Sequence, residues 1–170
     1  MLKYTEAVVG FSEVPGEIAL CINISGCPIH CEGCHSPHLW RNEGEELKPV
    51  VLSSLIAKND GITCIAFMGG NADVDAVMQL AKWVKNNTEL KTCWYSGRGL
   101  AEVQIDFKAL DYIKTGPYIK ELGGLNSPTT NQSFFKIKHE AEGKQPPHHL
   151  IDITYKFRNN ETSNKNKSAD

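Results

Sequence analysis

The chain has 170 residues, 18 basic and 20 acidic side chains, a net charge of −2 and a sequence pI near 6.3. That length points to one domain, burying roughly 70% of the surface its unfolded chain would expose. The two charge signs are interspersed without a basic run, which argues against a nucleic-acid partner, and the densest apolar stretches, 18–22 and 62–68, are too short to span a bilayer. Lys3, Glu6 and Gly10 interrupt any apolar signal segment, so export is not expected either.

In chain order, 18–24 is a dense apolar run ending at Ser25-Gly26 and reads as a buried first strand. Apolar residues recur at helical spacing over 50–57, and Asn59-Asp60-Gly61 breaks that pattern before a second buried strand at 62–67, closed by Gly69-Gly70. Residues 73–84 follow as a helix whose apolar face is Val74, Val77, Met78, Leu80, Ala81 and Val84. The spacing then predicts a third strand over 91–95, a helix over 100–110 and a short strand over 112–114. Two further strands are expected at 134–137 and 150–157, separated by the polar stretch 138–147. Residues 158–170, rich in Asn, Ser and Lys, read as a disordered tail. Strands alternating with helices imply α/β architecture and a mostly parallel sheet, whose ligand sites lie at strand C-terminal ends.

Six cysteines without an export signal point to a reducing compartment, the cytoplasm, where clustered thiols bind metal or do chemistry more often than they form disulfides. Cys21, Cys64 and Cys93 each lie inside an apolar strand-like run and read as small buried hydrophobes. Cys27, Cys31 and Cys34 differ, because their CxxxCxxC spacing offers three thiolates where the first strand ends. Three ligands leave one iron of a [4Fe-4S] cluster free to bind a substrate or cosubstrate, whereas a closed four-ligand site holds a fold or carries electrons. Two alternatives stay open on the residues alone. A zinc site needs further ligands, and the nearest pair, His148-His149, puts adjacent side chains on opposite faces of a strand. A redox CxxC at Cys31 and Cys34 leaves Cys27 without a role.

The cysteine motif after a first strand resembles the signature of the radical S-adenosylmethionine (SAM) enzymes. The resemblance continues through Gly33-Cys34-His35-Ser36-Pro37, Trp40, Gly69-Gly70, Trp94-Tyr95-Ser96-Gly97, Thr115-Gly116-Pro117-Tyr118, Ser127 and Asn131-Gln132. This ordered set covers most of residues 15–137 and is similar to the activating proteins of anaerobic ribonucleoside-triphosphate reductases.

The resemblance implies an incomplete TIM-like barrel of radical SAM type over residues 1–157. It implies a [4Fe-4S] cluster on Cys27, Cys31 and Cys34, with S-adenosyl-L-methionine as the second cofactor. Gly33, Cys34 and His35 would lie beside the SAM adenine or the cluster, and Gly69, Gly70 and Asn71 would meet the methionine moiety. The family usually has an acidic residue where Asn71 stands, and Asp73 is a substitute for it. His30 and His38 read as solvent-facing or structural. An electron from the reduced cluster would cleave SAM to methionine and a 5'-deoxyadenosyl radical, which takes a hydrogen atom from a glycine of the partner. The implied partners are the glycyl-radical reductase, an electron donor such as flavodoxin, and a second copy of the activator. A chain well short of the roughly 250 residues of a full barrel would leave one side open, which suits a protein substrate. Other readings are a different small radical SAM enzyme acting on a peptide or nucleobase precursor, and a non-catalytic metal-binding module.

Overall fold

The computed structural model describes residues 1–143 and 148–158, so the last residues of the polar stretch (144–147) and all but the first residue of the tail read over 158–170 lie outside the described residues. The elements are β1 (Lys3–Gly10), β2 (Ala19–Ile24), β3 (Glu45–Glu46), α1 (Pro49–Ala57), β4 (Cys64–Met68), α2 (Val74–Asn87), β5 (Lys91–Tyr95), β6 (Tyr112–Thr115), β7 (Ser133–His139) and β8 (His148–Asp152). Among the described residues these strands form one open eight-stranded sheet in the order β3-β1-β2-β4-β5-β6-β7-β8.

The sheet is parallel only at its centre. β2, β4, β5 and β6 run side by side in three parallel pairings, while β3-β1, β1-β2, β6-β7 and β7-β8 are four antiparallel ones, so the sheet is mixed rather than mostly parallel. The central strands are buried on both faces and therefore read as continuous apolar runs. The flanking strands are partly exposed, which is why β1 carries no clean signal: Tyr4 is buried, but Val8 and Val9 are exposed. An irregularity between Tyr4 and Glu6 further blurs its alternation.

Alternation along the central strands builds two cores. Leu20, Ile22, Ile24, Ile65, Phe67, Trp94 and Ile113 face Leu52 of α1 and Val77, Met78, Leu80, Ala81 and Val84 of α2. Each fully buried Val, Leu, Ile or Phe side chain among them contributes about 1.5–3 kcal/mol. The opposite face carries Ala19, Cys21, Cys64, Ala66, Cys93, Tyr112 and Phe134, covered by Val14 and Ile153. The three cysteines there are small packing residues: burial pushes their thiols up, Cys21 to about 12, away from reactivity.

Helix α2 starts where Asp73 caps it, its carboxylate accepting the Ala76 N–H at 3.1 Å. The helix expected at 100–110 is absent. Short 3-10 turns at Leu100–Glu102 and Phe107–Ala109 stand there instead. Local side-chain bonds take the backbone donors: Glu102 accepts from Gly99 N–H, and Asp106 accepts from Lys108 N–H at 3.0 Å. The last expected strand also ends early. Asp152 Oδ1 accepts from both the amide and the hydroxyl of Thr154, which turns the chain into a 3-10 segment, Thr154–Phe157.

The N-terminal ends of the parallel strands are latched by one buried carboxylate. Glu17, just before β2, accepts from Thr63 Oγ1 at 2.7 Å, Tyr112 Oη at 2.7 Å and Lys91 Nζ at 2.5 Å. Burial alone would raise its pKa, but these three donors outweigh burial and hold it below the ordinary carboxylate value.

Candidate metal centre

Strand β2 delivers the chain into the cysteine loop. Ser25 fastens the exit, its amide donating to Lys3 O at 2.9 Å and its hydroxyl to Glu43 O at 2.5 Å. The loop closes on itself, since Gly26 N–H donates to Arg41 O and Cys27 N–H to Leu39 O at 2.9 Å. Leu39 is buried beneath it.

Cys27, Cys31 and Cys34 are free thiols, each half-buried. Cys34 N–H donates to Cys31 O at 3.1 Å, closing a four-residue turn that brings the last two cysteines to one side. Gly33 is the third residue of that turn, with φ +71°, a conformation any side chain would strain. The Ser36 amide then points at Cys34 Sγ, at 3.4 Å, and offers a donor to negative charge on that sulfur. His30 has φ +51° and stacks on Trp40, their ring centroids 4.8 Å apart. His35 is exposed and meets the Tyr118 ring edge-on at 5.0 Å. Among the described residues Trp40 Nε1 is a buried side-chain nitrogen without a hydrogen-bond partner.

The ends of the neighbouring strands converge on the same loop. After β4, Gly69 and Gly70 have φ of +105° and +86°, and a Cβ on Gly70 would lie 2.5 Å from Val77. Their conformation is thus required by the strand-to-helix turn itself. Asn71 is 5% exposed, and its side chain is engaged within the chain: Nδ2 donates to Ser96 Oγ at 2.8 Å, and Oδ1 accepts from Gly97 N–H at 2.9 Å. It ties the end of β4 to the end of β5. Asp73, the acidic substitute, is occupied by capping α2 and by the Met1 ammonium. Ile29 of the cysteine loop rests over Gly97, where a Cβ would come within 2.9 Å of it.

Lys114 completes the cluster of strand ends and was not foreseen. It shares a face of β6 with Tyr112, is 8% exposed, and donates to Gly116 O at 2.6 Å and Ser96 O at 3.3 Å. Burial lowers its pKa to about 8, while negative charge on Cys31, Cys27 and Cys34 works to raise it. The available signal was a lysine within the run Tyr112-Ile113-Lys114-Thr115, where period two places it beside a buried tyrosine.

The donors present suit an iron-sulfur group: three soft thiols on one loop, an amide aimed at one sulfur, a buried indole N–H without a partner, and a buried ammonium. Among the described residues no three His, Cys, Asp or Glu side chains are gathered to hold a single metal ion. A four-iron cluster spreads its ligands around a cube, farther apart than one ion does. His148 and His149 diverge, the first stacked on Phe107 and the second near Glu140.

A family model described as a 4Fe-4S single cluster domain matches residues 15–133, spanning the cysteine loop and the ends of β4, β5 and β6. No curated protein and no solved structure matches the chain. Among the described residues no helix is long and apolar enough to cross a membrane.

Proposed function

Because the chain belongs to the 4Fe-4S single cluster domain family, we propose that it is a radical SAM activating protein that generates a glycyl radical on an anaerobic ribonucleoside-triphosphate reductase. One observation carries the reading: three cysteines on a loop that leaves the C-terminal end of a parallel strand, the next three parallel strands ending on the same edge of the sheet. The bound cluster would supply the electron that cleaves SAM to methionine and a 5'-deoxyadenosyl radical.

Cys27, Cys31 and Cys34 are assigned as its ligands, the Ser36 amide holding the last sulfur in place. Gly33 shapes the turn that presents two of them. On this reading Gly69 and Gly70 present backbone groups to the methionine moiety, and His35, exposed at the rim, lies beside the adenine. Asn71 acts by fixing the Ser96-Gly97 strand end, because both ends of its amide are already bonded. The open sheet is read as an incomplete barrel, its uncovered side left for a loop of the partner, with flavodoxin as a suitable electron donor.

The test is anaerobic reconstitution with iron and sulfide, followed by dithionite and SAM. The wild-type chain is expected to release methionine and 5'-deoxyadenosine, and C31A is expected to release neither. Product formation by C31A equal to wild type would remove the cluster assignment.

A further inference from the structure

Lys114 is a lysine where the fold gives no structural need for one. Its neighbours on β6, Tyr112, Ile113 and Thr115, are uncharged, and its ammonium lies below the surface at the junction of β5 and β6. Two carbonyl oxygens, of Ser96 and Gly116, accept two of its three N–H donors. Two carbonyl dipoles hold the cation in position but carry no net charge to neutralise it. A buried cation without a carboxylate partner is costly unless negative charge stands nearby. The carboxylate that could have served, Glu17, lies at the opposite end of the strands and is engaged by Lys91, Tyr112 and Thr63. The cysteine loop lies against that junction: its Ile29 rests over Gly97, the residue after Ser96, whose carbonyl Lys114 holds at 3.3 Å.

We propose that Lys114 is a positioning residue for charge: a fixed buried cation that stabilises the added electron on a group bound by Cys27, Cys31 and Cys34. The inference rests on the cluster assignment of the preceding section. Reducing a [4Fe-4S] cluster by one electron adds one negative charge in a site of low effective dielectric. A cation held there by Ser96 O and Gly116 O favours the reduced form. The same carbonyls keep the ammonium from swinging to solvent, so its effect is built into the fold. Asn71 contributes indirectly, since it pins the Ser96 segment that supplies one of those carbonyls.

The experiment uses the full chain, reconstituted anaerobically without SAM at pH 7. Iron and sulfide content are measured first, and the one-electron midpoint potential is then followed by electron paramagnetic resonance. K114M is expected to hold the cluster with a midpoint about 59 mV more negative, a tenfold weaker reduction equilibrium. K114R, which keeps the charge, is expected to stay near wild type. An unchanged midpoint in K114M, or a K114R midpoint as low as that of K114M, would overturn the inference. If K114M and K114Q take up no cluster while K114R does, the same charge dependence is read at assembly and supports it. Loss of the cluster from all three variants would overturn it. A wild-type chain that takes up no [4Fe-4S] group refutes the cluster assignment itself, whereas loaded wild type with an unchanged K114M refutes this inference alone.

Discussion

Asn71 shows how a side chain can keep a functional position while acting within the chain. Its amide bridges Ser96 Oγ, which is buried, and Gly97 N–H, over which Ile29 rests. Asn71→Ala removes the buried bond to Ser96 and the part-buried bond from Gly97 N–H, so a loss of about 1–3 kcal/mol is expected in urea unfolding. Asn71→Asp should cost less, because the Ser96 hydroxyl can rotate to donate to a carboxylate. Equal stability of Asn71→Ala and wild type would contradict this account. Residue by residue, the cysteines and Gly33 were legible because spacing and turn chemistry are local. Asn71 follows the Gly-Gly at the end of β4, but its partners Ser96 and Gly97 lie 25 and 26 residues away and leave no mark in the sequence. For Lys114 the strand period gave its burial but not its neighbours, since the Ser96 carbonyl it holds lies 18 residues away on another strand end.

The parallel strands carry different networks at their two ends. At the C-terminal ends, polar side chains organise the cysteine loop. At the N-terminal ends, Glu17 gathers Thr63, Lys91 and Tyr112 from just before or within β4, β5 and β6. Because its pKa is depressed in the folded chain, its contribution is complete above the unfolded value of about 4.3 and is lost as pH falls through the lower folded value. Glu17→Gln should therefore lower thermal stability at pH 7 and flatten its decline on acidification below pH about 4.3. A variant whose melting temperature tracks wild type from pH 7 to the acid limb would show that the latch does not hold the strands. At this scale the apolar strands and α2 were legible from period, β5 to the residue. The segment 100–110 was not, because Glu102 and Asp106 bond their own backbone and override its helical spacing.

For the whole molecule, the architecture follows from where backbone donors can be satisfied. Four parallel strands sit at the centre under two helices, and antiparallel strands extend the sheet on both sides without closing it. Composition located the centre because doubly buried strands must be apolar. It could not locate β1, which keeps an exposed face, or β3, which pairs with β1 only after the chain returns from the loop that holds the cysteines. That loop is fastened at its start by Ser25, which bonds Lys3 and Glu43, and its three thiols stay half-buried.

The most direct measurement of the central claim is electron paramagnetic resonance of a candidate glycyl-radical reductase mixed anaerobically with the reconstituted chain, reductant and SAM. The account predicts a glycyl radical signal that is absent with C31A. SAM cleavage by the wild-type chain with no radical formed on the reductase would contradict it.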